Sequence, residues 1–311
     1  MPEGSSCPNC RSTSRHWTTS SSQRRDGTSR VPAAMRRRTS SRNSSPLEPD
    51  RPMSATALVQ TAALGKRAVV RTARQPANVV FPLVFPMLLL AVNAGGLKAE
   101  TRLPGFPTNS FLAFALAVPF VQGALIATIN ANVEFARDIQ TGFLNRLALT
   151  PVRGIVLLVG QLGGLLTIAV AQAIFYLAVG VAFGVHLQSG FGGAVMLLLL
   201  EACIALAFAS LGSWAALRTG STEAVQGLFP VFFVFLFLSS MNIPRNLIQA
   251  DWFRWVATVN PVSYLIEAVR ALVITGWDWQ TIGLGFAVAG GLSIFGFALA
   301  THALWNRLER T

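Results

Sequence analysis

From about residue 79 to its end the chain alternates long apolar runs with short polar connectors, whereas the residues before about 77 are polar and rich in arginine. The runs cover residues 79–97, 110–133, 155–187, 191–217, 225–243 and 281–304. A hydrocarbon core of about 30 Å takes roughly 20 residues of helix, and helices of soluble proteins are seldom apolar all round. The pattern predicts an all-α polytopic membrane protein with six transmembrane helices. A closed barrel would show short alternating segments instead, so the backbone polar groups are expected to be satisfied within helices.

Composition agrees. With 52% hydrophobic and 12% charged residues in 311, and a mean hydropathy of +0.51, there is too little charge to cover a soluble globule of this size. The net charge of +12 is no nucleic-acid signal, because ten arginines against four acids in residues 1–52 supply half of it. That stretch has no apolar period and no apolar core of a signal peptide; its Ser, Arg, Pro and Thr content predicts disorder. Two readings stand: a disordered tail that touches anionic lipid, or an over-extended start with the protein beginning at Met53. The domains expected are 1–52, an interfacial segment 53–76, and a transmembrane domain 77–311. Cys7, Cys10 and His16 lack the second pair of a zinc site, and Cys203 lies alone in an apolar run, so no metal site is expected.

An even number of spans puts both termini on one side. With that side cytoplasmic, the inner connectors hold ten Lys and Arg, among them Arg67, Arg71, Arg137, Arg146, Arg218 and Arg307, against five on the outer ones. This is the positive-inside asymmetry, and it places a multi-pass protein with both ends in the cytoplasm. Before the first span, Arg67, Arg71 and Arg74 share one helical face away from Leu58 and Ala62. The segment reads as an amphipathic helix in the headgroup layer or as an ordinary positive flank.

Two connectors are more than loops. In residues 134–151 Phe135, Ile139, Phe143 and Leu147 recur every fourth position, with Glu134, Arg137, Asp138 and Arg146 elsewhere. The spacing predicts an amphipathic helix at the cytoplasmic surface, either docking in a partner's groove or lying on the membrane. In residues 260–274 the apolar part is too short to cross, Pro261 suits a first helical position, and Glu267 is set to pair with Arg270 at i, i+3. Trp252, Trp255, Trp277 and Trp279 bracket it, as at a headgroup boundary.

With RDIQTGFLNRLALTPV between the second and third spans and NPVSYLIEAVRALV between the fifth and sixth, the chain from about Met53 onward resembles the permease subunits of ABC type-2 exporters, particularly daunorubicin-resistance-type drug efflux permeases. The resemblance implies a cytoplasmic coupling helix that contacts the ATPase, carried here by Glu134, Arg137, Asp138, Gly142 and Arg146. It also implies an outer re-entrant gate with Asn260, Pro261, Tyr264, Glu267 and Arg270. The partners implied are two copies of a cytoplasmic ABC ATPase, which bind ATP and Mg²⁺, and a second permease copy or homologue in the cell membrane. The activity implied is efflux of an apolar or amphipathic substrate such as an antibiotic or lipid.

No G-x-x-x-x-G-K-[ST] occurs, and no His, Cys, Asp and Glu residues are spaced as a catalytic triad or metal set, so neither catalysis nor a cofactor is expected of this chain. Glu201, the one acid well inside a run, is a candidate for the substrate path. Asn93, Gln122, Asn130, Gln161 and Gln172 read as interhelical hydrogen-bonding groups, and Gly163-Gly164 and Gly290-Gly291 as close helix contacts. The rival readings are an ion-coupled secondary transporter, an intramembrane enzyme, and a non-transporting membrane assembly protein.

Overall fold

The computed structural model describes Val70, residues 76–142 and residues 154–308, all within one unit, Pro52–Thr311. The expected tail, nearly all of the interfacial segment, Phe143, Arg146 and Leu147 lie outside the described residues. Every regular element described is helical: α1 Pro76–Gly96, α2 Phe111–Ala115, α3 Ala117–Gln140, α4 Gly154–Ala182, α5 Gly190–Thr219, α6 Thr222–Gln226, α7 Leu228–Phe237, α8 Asp251–Val259, α9 Pro261–Arg270 and α10 Trp279–Leu308.

Length and apolar composition give four helices able to cross a membrane: Phe111–Gln140, Val159–Ala182, Gly190–Thr219 and Trp279–Arg307. The bent pair α8 and α9 with its continuation to Thr275 makes a fifth if counted as one span. The first and fifth expected spans form shorter apolar helices, Val80–Gly96 and Thr222–Phe237. Prolines account for the irregularities, since each removes an N–H and clashes with the preceding turn. Pro119 follows the break at Leu116 between α2 and α3, and Pro230 follows the break at Gly227 between α6 and α7. The third expected run is cut short at Ala182. Gly184, at φ +86°, takes the left-handed position of a Schellman cap, in which Gly184 N donates to Val181 O (3.0 Å) and Val185 N to Gly180 O (3.0 Å).

The central helix is α5, flanked by α3, α4 and α10. Small residues let these helices approach closely. A side chain at Gly212 would collide with Asn132 of α3, one at Gly296 of α10 with Ser210 of α5, and one at Gly123 of α3 with the Tyr176 ring of α4. Asn132 fastens the α3–α5 contact: its Nδ2 donates to Ala209 O (3.3 Å) and to Thr128 O (2.8 Å), and its Oδ1 accepts from Ser213 Oγ (2.8 Å). Gln161 Nε2 joins α4 to Ala131 O (3.2 Å), as its sequence suggested. Gly163, Gly290 and Gly291 do not mark contacts: a methyl group there would meet open space. Both α4 and α10 are nearly uniformly apolar, so sequence leaves undecided which glycines face a neighbour.

Candidate functional site

At the tryptophan-rich end the chain turns by 82° between α8 and α9. Asn260 makes the corner: its Oδ1 caps α9 by accepting from Val262 N (3.0 Å), and its Nδ2 reaches back to Phe235 O at the end of α7 (2.5 Å). Pro261 follows at the first helical position, where a missing N–H costs nothing. Ser263 Oγ accepts from Ser240 N (3.2 Å), tying α9 to the segment after α7, and Tyr264 Oη donates to Thr258 O (2.9 Å), holding the two arms of the bend. The five residues 260, 261, 264, 267 and 270 thus share one short segment. The continuation to Thr275 docks on the α4–α5 turn, where Ser189 Oγ donates to Leu272 O (2.5 Å) and Gln188 N to Val273 O (3.2 Å).

The i, i+3 pairing expected for Glu267 is replaced by a longer-range one. Glu267 takes a bidentate ion pair from Arg245, whose guanidinium also lies 4.5 Å from the centre of the Tyr264 ring. Arg270 is buried instead among carbonyls. Its Nε donates to Phe114 O (3.3 Å), Nη1 to Ser240 O (3.2 Å) and Nη2 to Met241 O (3.0 Å), and its plane stacks 3.5 Å over Phe114. The planar fork thereby ties α9 to α2 and to the segment after α7. Trp252, Trp255, Trp277 and Trp279 are exposed around this end, the last two stacked on each other. Just before α10, Thr281 Oγ1 donates to Asp278 (2.6 Å) and holds that carboxyl below its usual range.

At the opposite end α3 runs unbroken through Glu134, Arg137 and Asp138 to Gln140. Those residues are the last turns of a membrane-length helix and not a separate element. Arg137 pairs with Glu134 at 2.8 Å. Gly142, at φ +69°, ends the helix, its N–H donating to Ile139 O (3.1 Å). Phe135 and Ile139 are buried in the chain's own core, so the described half of the apolar stripe is already covered. Nearby, Arg307 Nη1 donates to Leu217 O (2.8 Å) in the last turn of α5, a favourable site for a cation.

Between the two ends, Glu201 on α5 is fully buried, and neither carboxyl oxygen has a hydrogen-bond partner among the described residues. Tyr176 of α4 is within electrostatic reach of it. The Tyr176 hydroxyl donates to Pro82 O of α1. That carbonyl needs an outside donor because the residue four positions on is Pro86, which has no N–H. Sequence reasoning passed over Tyr176, Asn132 and Arg245; the paired prolines of α1 were the one visible sign that a foreign donor was required. Among the described residues no three His, Cys, Asp or Glu side chains are grouped to hold a metal.

The sequence pattern of ABC-2 type transporters matches residues 59–274, which includes both the end of α3 and the α8–α9 bend. A transport permease of Porphyra purpurea, ycf38, is 26% identical over 262 residues, covering 79% of this chain and 89% of that protein. The doxorubicin resistance ABC transporter permease protein DrrC of Mycobacterium tuberculosis is 25% identical over 228 residues, 70% of this chain and 78% of its own length. The ycf38 permease of Cyanophora paradoxa is 24% identical over 212 residues. The match over more than half of the chain, on a bundle of membrane-length apolar helices, places this protein in the ABC-2 type transporter family, as a membrane transport permease.

Proposed function

We propose that the chain is the transmembrane subunit of an ATP-driven exporter of apolar or amphipathic molecules, drugs or lipids, in the cell membrane. The observation that carries the reading is the family match over residues 59–274, joined to a relative named for doxorubicin resistance. In this reading α1 and α6–α7 complete six crossings, the α8–α9 segment enters from outside and returns, and both termini are cytoplasmic. Two permease copies, or one with a homologue, enclose the path. Two ATPase subunits bind ATP and Mg²⁺ and press on the end of α3 and the connector after it through Glu134, Arg137, Asp138, Gly142 and Arg146. Asn260, Pro261, Tyr264, Glu267 and Arg270 form the outer gate, and Glu201 joins the substrate path when α3, α4 and α5 separate. Nucleotide drives the cycle only by binding the inward-open and outward-open states with different affinity.

The test is co-expression with a cognate ABC ATPase, then co-purification and drug export from inside-out vesicles. Export that needs ATP hydrolysis and the ATPase subunit is the expected result. Export that persists without the ATPase and stops when the proton gradient is collapsed overturns the reading in favour of ion coupling.

A further inference from the structure

A cavity of about 100 Å³ lies between α1, the α2–α3 junction and the end of α7, with Leu90, Asn93, Gln122, Phe237, Met241 and Asn242 among its walls. Three of these residues carry side-chain amides. Gln122 is 1% exposed, and its Oε1 is buried without a hydrogen-bond partner among the described residues. The side-chain amides of Asn93 and Asn242 likewise make no hydrogen bond among the described residues. The unpartnered buried oxygen of Gln122, with the half-buried amides of Asn93 and Asn242 lining the same small cavity, is what a hydrogen-bonding site requires, because a buried polar group without a partner is costly. None of the residues lining the cavity is acidic or basic, so nothing there balances an ammonium or a phosphate. At about 30 Å³ per water the space suits one small substituent or about three waters, not a ring system. Beside it, Leu88 and Val92 of α1 and Val234 and Phe237 of α7 are exposed and offer an apolar rest for the body of such a molecule.

We propose that Asn93, Gln122 and Asn242 form a subsite for a neutral hydrogen-bonding substituent, a hydroxyl, carbonyl or amide, of the transported amphiphile. The inference rests on the transport reading above and narrows it, because selection at this point goes by hydrogen bonding and shape and not by charge.

The probe is doxorubicin, whose fluorescence reports binding to the purified permease–ATPase complex in nanodiscs, compared with its uncharged sugar-free aglycone. Gln122→Leu and Asn242→Leu are each expected to weaken binding of both probes about fivefold to tenfold, the effect of one lost hydrogen bond. Gln122→Leu is expected to leave the unfolding temperature unchanged or raised, since it replaces an unpartnered buried amide with an apolar group. Absence of binding by the wild type, unchanged binding in both variants, or loss of binding only together with loss of stability overturns the subsite. ATP-dependent export that both variants retain in full removes the subsite and leaves the transport reading standing. Binding that responds to both substitutions without any ATP-dependent export leaves the subsite and removes the ATP-driven reading.

Discussion

Replacing Arg270 by methionine keeps much of the stem's volume and removes the guanidinium, leaving the carbonyls of Phe114, Ser240 and Met241 without their donor. A buried polar group deprived of its partner costs about 1–3 kcal/mol, and a carbonyl lies toward the low end. Three of them together cost about 3 kcal/mol after the relief of no longer burying an ion is counted. For a domain of this size that lowers the unfolding temperature by roughly 6–12 °C. Arg270→Lys retains the charge yet is expected to fare no better than methionine, because a point charge on a shorter reach cannot serve three carbonyls on two elements or stack on Phe114. The assay is thermal unfolding of purified protein in one detergent, with a double-mutant cycle on Glu267. Coupling is expected to be larger for Arg245 with Glu267 than for Arg270 with Glu267. Wild-type stability of the lysine variant, or the stronger coupling falling on Arg270, would refute the clasp.

Reversing Arg137 and Arg146 to Glu is expected to abolish ATP-driven export while leaving the protein inserted, read by export and ATPase activity together; full export by both single variants removes the coupling assignment. Tyr176→Phe orphans the Pro82 carbonyl and is expected to cost about 1 kcal/mol in thermal unfolding. Gly123→Ala presses a methyl group into the Tyr176 ring and is expected to cost about 1–3 kcal/mol, so a Gly123→Ala protein as stable as wild type contradicts the α3–α4 packing. Single cysteines at Asn246 and Asp278 are expected to react with a membrane-impermeant thiol reagent in intact cells, and one at Thr311 only after permeabilisation; external reaction at Thr311 rules out both ends being cytoplasmic.

The crossing helices were legible because bilayer thickness sets one length, and residues 110–133, 155–187, 191–217 and 281–304 each exceed or approach it. The cap of α9 was legible for a similar reason: Pro261 has few places to stand in a helix, and the first position is one. Pairings across the fold were not. Glu267 has a charge-matched neighbour three residues on, yet its partner is 22 positions away, brought close by the turn after α7. The stripe from Phe135 to Leu147 reads as a surface either for a partner's groove or for the membrane, but an apolar period says only that a face is covered, and Phe135 and Ile139 are covered by this chain. Likewise adjacent glycines are conspicuous in sequence, whereas Gly123, Gly212 and Gly296 stand singly and are recognisable only by what they touch.

The placement of α5 bears on how the protein is made. Its broadest flank is covered by α10, a helix that comes well after it in the chain, through Gly296 against Ser210 and through Arg307 against the carbonyl of Leu217. Until the 30 residues of α10 leave the ribosome, the central helix has one side against lipid or the insertion machinery. Assembly is therefore a closing step made late, and quality control has a long interval in which to find the unfinished protein. A truncation that removes α10 does more than shorten the bundle at its edge: it leaves its middle unsealed.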